Sequence, residues 1–154
     1  MDQIQAFVAS HHSLLVAILR TLSIITSCTT FYGGFCALLL PSALSDTFGI
    51  PFNVPRTKNS SSKGGSDEDK TLAALFILFA GREFSLATIL GILVYLDELK
   101  ALSYALLAVA LTGAGDGIAA WKYGVKEAWK LHFYATFLVV VLLVPLGLLL
   151  DSSS

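Results

Sequence analysis

The chain is poor in the residues from which most metal and redox sites are built. Its only two cysteines, Cys28 and Cys36, share one apolar run, where a helix would hold them about 12 Å apart, too far for a disulfide. None of its cysteines and histidines has metal-ligand spacing, which argues against a structural zinc or an iron–sulfur centre. His11 and His12 are adjacent, and neighbours on a helix point about 100° apart, a poor geometry for gripping one ion. Charge is scarce too, at 14% of 154 residues with a net of -1. No basic stripe interleaved with aromatics occurs, so nucleic acid is not an expected partner. There is no haem motif, and the glycine-rich Gly113–Gly117 follows no strand, which leaves a dinucleotide fingerprint without its context. No cofactor is expected. The N-terminus lacks a basic leader and a small-residue cleavage site, and Arg20 interrupts its first apolar run, so it is expected to be retained.

What remains is apolar sequence: 55% of residues are hydrophobic, the mean hydropathy is +0.75, and several runs are long. These features place the chain among integral membrane proteins. Four spans are expected, at about 14–40, 71–95, 101–121 and 129–150, each long enough for a hydrocarbon layer of about 30 Å. The fold class is all-α, an integral membrane four-helix bundle in a single domain over 1–154. Met1–Ser13 reads as an interfacial turn, and Pro41 ends the first span. Pro41–Pro55 reads as an irregular or re-entrant segment. Residues 56–70 read as a flexible polar linker containing Ser60-Ser61-Ser62 and Gly64-Gly65. The short later connections make spans two, three and four antiparallel neighbours.

Basic residues set the expected orientation. Arg56, Lys58, Lys63, Lys70, Lys122, Lys126 and Lys130 lie on the side of the first and third connections, against Lys100 and Arg20 on the other. Loops 41–70 and 122–130 should therefore be cytoplasmic and both termini lumenal, with the endoplasmic reticulum as the expected membrane. The acceptor pattern at Asn59-Ser60-Ser61 would then be idle.

The second span carries Arg82 and Glu83 at its centre, where an ionised side chain costs about 2.5 to 3.5 kcal/mol. Partners must come from other helices. Asp116 late in span three and His132 early in span four lie toward the same membrane face. Arg20, Ser23, Ser27, Thr30 and Gly34 form one stripe at helical period on span one, expected to face the bundle. Such small and hydroxylated residues are also what close helix packing requires. An arginine with two acids can equally be an ion pair that fixes helix register. Arg20, near a helix end, can snorkel to the interface, and Tyr95, Asp97 and Glu98 read as a solvated turn.

One arginine, two acids and a histidine exceed what packing alone needs, and they point to acid and base work in an apolar pocket. The expected catalytic set is Glu83, Asp116, Arg82 and His132, with the two acids as the acid and base pair, Arg82 holding one carboxylate ionised and His132 shuttling protons. Thr112, Trp129, Thr136, Thr30 and Ser27 are the expected substrate-binding residues, and no metal is expected.

Gly81-Arg82-Glu83, Gly91, Gly115-Asp116, His132, Pro41 and Phe48-Gly49-Ile50-Pro51 together resemble the pattern of short fungal four-span membrane proteins grouped as a domain of unknown function. The resemblance covers nearly the whole chain outside the serine-rich linker. It is similar in size and polar layout to small membrane enzymes of secondary-metabolite gene clusters, such as cyclases that use paired acids on polyketides or terpenoids. The resemblance itself supplies no reaction; the paired acids and the histidine lead us to expect cofactor-free opening of an epoxide, by hydrolysis or cyclisation, or an isomerisation, because opening an epoxide needs an acid at oxygen and a base on the nucleophile at once. A carrier of a hydrophobic ligand or proton and a non-catalytic assembly partner are the alternatives. Expected partners are a lipophilic small molecule and membrane lipids, and a homo-oligomer stays open.

Overall fold

A computed structural model describes residues 2–40, 67–123 and 127–152, nearly all of them helical. The elements are α1 (Asp2–Leu39), α2 (Asp67–Leu96), α3 (Leu99–Tyr123), α4 (Ala128–Leu138), a π-helical turn (Val139–Leu143) and α5 (Val144–Asp151). Expectations for the proline-rich exit, the Asn59 acceptor and most of the linker lie outside the described residues. Among the described residues, four stretches are long and apolar enough to cross a membrane: Ala6–Leu39, Ala73–Leu96, Leu99–Lys122 and Trp129–Asp151. The protein is an all-α integral membrane four-helix bundle.

Two boundaries differ from the sequence reading. The expected turn over Met1–Ser13 is helix from Asp2 onward, because neither glycine nor proline interrupts the chain before Gly33 and the hydrogen-bond ladder has no reason to stop. Ser10 supports it locally, its hydroxyl donating to the Phe7 carbonyl at 2.9 Å. The last four residues of the expected linker likewise belong to α2, since an acidic start such as Asp67-Glu68-Asp69 suits a helix N-terminus.

The turn joining α2 to α3 closes tightly. Glu98 N–H donates to Leu93 O at 3.2 Å and Asp97 N–H to Val94 O at 3.4 Å, the paired bonds of a Schellman cap, with Asp97 in the left-handed position at φ 62°. That position favours glycine; here an aspartate holds it and pairs with Arg20 of α1. The solvated turn expected at Asp97 is thus tied to α1, and Arg20 finds a carboxylate there.

The last span is one apolar run that is not one regular helix. Pro145 lacks an N–H, so it cannot continue the ladder from Val141. The chain widens just before it: Val144 N–H donates to Val139 O, five residues back instead of four, which rotates α5 relative to α4.

Helix α1 lies along α2, α3 lies along α4 and α5, and the pairs meet through α2 with α3 and α1 with α5. The tightest packing is at the Asp97 end, where Leu19, Leu90, Leu102, Leu106, Leu143 and Leu150 are fully or almost fully buried. A smaller cluster of Cys36, Ala37 and Ala80 closes α1 on α2 at the other end. Large residues such as Phe31, Leu78, Tyr134 and Phe137 point outward, as lipid contact requires. Between lipid-soluble helices the driving force is close packing, not water exclusion. Gly147 shows this most sharply: a Cβ there would overlap the Ser103 hydroxyl of α3 and stand 3.2 Å from Leu19 Cδ2 of α1.

Gly147→Ala should therefore destabilise the bundle by about 1 to 3 kcal/mol, the usual cost of overpacking. Ser103→Ala in the same chain should restore part of that loss, because it removes the atom that is struck. Thermal unfolding in detergent of the two single variants and the double variant checks both outcomes.

Candidate functional site

Arg82 and Glu83 lie on α2 nine and ten residues past Ala73, the start of its apolar run, or about 14 to 15 Å deep at the helical rise. Adjacent helical positions diverge by about 100°, but the arginine side chain is long enough to fold back. Its Nε and Nη2 both donate to Glu83 Oε1, at 2.9 and 2.7 Å. From α3, Asp116 takes the other edge of the guanidinium as a two-pronged fork, Nη1 to Oδ1 at 3.1 Å and Nη2 to Oδ2 at 2.8 Å. The Phe79 ring, one turn earlier on α2, stands 4.4 Å from the guanidinium carbon, where its face attracts the cation.

One cation thus serves two acids. The side chains of Glu83 and Asp116 are only 12% and 19% exposed, too buried to carry charge without a partner. The two acids do not present themselves alike. Both Asp116 oxygens are taken by the fork, whereas Arg82 reaches only Oε1 of Glu83. Glu83 Oε2 is directed toward Gly33 of α1, where an added Cβ would stand 3.9 Å away.

Glu83, Asp116 and His132 face a cavity of about 490 Å³ between the helices, within the range of small-molecule sites. Thr26, Thr29 and Thr30 line it from α1, Thr112 from α3 and Thr136 from α4, with an otherwise largely apolar wall. Hydroxyls on this wall are anchored to backbone carbonyls: Thr112 donates to Ala108 O at 2.8 Å and Thr136 to Ala110 O at 3.3 Å across the α3–α4 contact. Two glycines on α3 permit that contact. A Cβ at Gly113 would meet Thr136 Oγ1 at 3.0 Å, and one at Gly117 would meet His132 Cβ at 3.2 Å. The cavity lies in the half of the bundle away from Asp97. There, among the described residues, α1 hardly touches α4, although it packs on α5, which leaves a gap between α1 and α4.

Of the nine residues expected from sequence, six line this space: Glu83, Asp116, His132, Thr112, Thr136 and Thr30. Arg82 stands behind the wall and holds the carboxylates. Ser27 is elsewhere, donating to Ala87 O of α2 at 2.8 Å, and Trp129 packs edge-on against Phe133, its ring centre 5.7 Å away. The polar stripe on α1 therefore faces chiefly α2, with Ser23 and Gly34 buried, and the cavity is lined by its flank. Thr26, Thr29, Gly33 and Phe79 were missed. Phe79 is detectable as an aromatic three residues before an arginine inside a span, and Thr26 as a hydroxyl one turn before Thr30.

A family model described as a domain of unknown function (DUF4267) matches residues 27–150, and the chain belongs to that family. No curated protein and no solved structure matches the chain.

Replacing Arg82 should leave two buried acids without their cation. Arg82→Gln is expected to cost about 3 kcal/mol of stability, as when one member of a buried ion pair is removed. Arg82→Lys should cost less, because it keeps the charge and loses only the fork. In an Asp116→Asn background the loss from Arg82→Gln should shrink. Thermal unfolding of this double-mutant cycle in nanodiscs measures the coupling.

Proposed function

We propose that this DUF4267 member is a cofactor-free membrane enzyme performing acid and base chemistry on a lipophilic metabolite of polyketide or terpenoid type, with epoxide opening as the favoured reaction. The observation that carries the reading is one cavity onto which Glu83, Asp116 and His132 all open, with Arg82 behind its wall holding Asp116 in a two-pronged ion pair.

The free oxygen of Glu83 is the natural base. It would take a proton from water in hydrolysis, or from a hydroxyl of the substrate in cyclisation, as that oxygen attacks the epoxide carbon. His132, in its protonated form, would give its proton to the epoxide oxygen as the carbon–oxygen bond breaks. The proton then returns from Glu83 to His132, so the cycle needs no redox partner. Arg82 keeps Glu83 oriented through Oε1, and Asp116 holds Arg82 in place; both are positioning residues. Thr30, Thr112 and Thr136 offer oxygens to the substrate's polar groups.

On this reading the protein belongs to secondary metabolism in a fungal endoplasmic reticulum membrane. The seven basic residues in 41–70 and 122–130 support a cytoplasmic placement for those loops and a lumenal one for the termini. A carrier for the same class of ligand is the second reading, favoured by the gap between α1 and α4.

Deleting the gene should cause one lipophilic intermediate to accumulate, and that intermediate, given to the purified protein in nanodiscs, should be converted. Glu83→Gln and His132→Gln should each lower kcat by at least about a hundredfold, the scale of a lost general acid or base. Incubation in ¹⁸O-water then separates hydrolysis, which incorporates the label, from cyclisation, which does not. Binding of the intermediate with no conversion would favour the carrier.

A further inference from the structure

Among the described residues, the charges around the cavity do not balance whenever His132 is in its uncharged form, the state in which it has given up its proton. Arg82 brings one positive charge, and Glu83 and Asp116 bring two negative ones when ionised. Helix α4 contributes His132, and the cavity face of α1 contributes threonines and no charged side chain. Lys130, two residues from His132, is engaged by Glu127 at 2.6 Å. In surroundings of low dielectric, an excess charge calls for a proton or a cation to neutralise it. The oxygen positioned to receive one is Glu83 Oε2, since the other three carboxylate oxygens already accept from Arg82.

We propose that the cavity binds lipophilic cations: a protonated amine on an apolar body, with its ammonium beside Glu83 Oε2 and its body in the gap between α1 and α4. The wall decides between kinds of cation. A bare metal ion needs several oxygens or waters around it, whereas here one carboxylate oxygen and a few threonines sit among Leu22, Ile25, Leu86, Val109 and Leu131. An ammonium needs only a few acceptors and brings its own apolar cover. Its route is the gap between α1 and α4, through which a membrane-dissolved molecule reaches the acid without crossing water. The inference rests on the acid and base reading only in sharing its cavity, and it gives that reading a substrate preference, because an opening epoxide also gathers positive charge at carbon.

The test uses the full chain in nanodiscs of zwitterionic lipid, with binding of N,N-dimethyldecylamine, decanol and decanoate corrected for empty nanodiscs. The amine should bind saturably and at least about tenfold more tightly than decanol, the scale of one charged hydrogen bond, and decanoate should bind most weakly. Glu83→Gln should bring the amine to within about twofold of decanol. If Glu83→Gln does not fold, Gly33→Leu fills the space beside Oε2 without altering a charge and should weaken amine binding at least about tenfold. Equal affinity for amine and decanol in the native chain overturns the proposal, as does an amine preference that survives in the folded variant. Loss of turnover in Glu83→Gln with no amine preference in the native chain sinks this inference alone. Amine selectivity with full turnover in Glu83→Gln sinks the acid and base reading alone.

Discussion

The structure depends on one guanidinium that must be satisfied where water is scarce. Inside a bilayer an ionised side chain has only protein to turn to, and Arg82 answers by accepting two carboxylates, one from its own helix and one from α3. Its planar fork fixes direction as well as distance. This matters because α2 leans on α3 less extensively than it does on α1, so a polar clamp does there what side-chain interdigitation does elsewhere. The clamp also leaves the two acids unequal. One is saturated and inert, and the other keeps an oxygen turned to the cavity.

Packing and openness divide the bundle along its length. Toward Asp97, small side chains at Gly147 and Ser103 bring α5 onto α3, and leucines fill the centre. Toward the other end α1 closes only on α2, and α3 closes on α4 through Gly113 and Gly117. Space is left between the two pairs. The π-helical turn before Pro145 lies at the change from one regime to the other, with Val139 and Leu143 on the cavity wall. A proline that merely ended a helix would not do this; the widened turn lets the span continue with a new face toward its neighbours.

Much of this was legible in the chain itself. Apolar length announces four spans, and a charge in such a run must look inward, which puts Arg82, Glu83, Asp116 and His132 in the same half of the bundle without fixing which of them touch. Finer geometry was not legible. Periodicity finds a polar face on α1 but cannot say which neighbour it meets, so Ser27 was placed in the pocket when it bonds to α2. The Arg20 pairing with Asp97 joins α1 to the turn after α2, whereas the sequence reads Arg20 as facing the bundle or snorkelling to the interface and Asp97 as part of a solvated turn. The π turn needs knowledge of how the freed carbonyl near Pro145 is accommodated, and a run of valines and leucines carries no sign of it.

The spans are unequal in length, and that has its own consequence. Ala6–Leu39 contains 34 residues where the others contain 23 or 24, so the apolar stretch of α1 is about 51 Å long against a hydrocarbon layer of about 30 Å. It must slant more steeply than its companions or carry a stretch of itself out among the headgroups. Because α1 carries Thr26, Thr29, Thr30 and Gly33 on the chamber wall, the excess length belongs to the same rod that shapes the chamber.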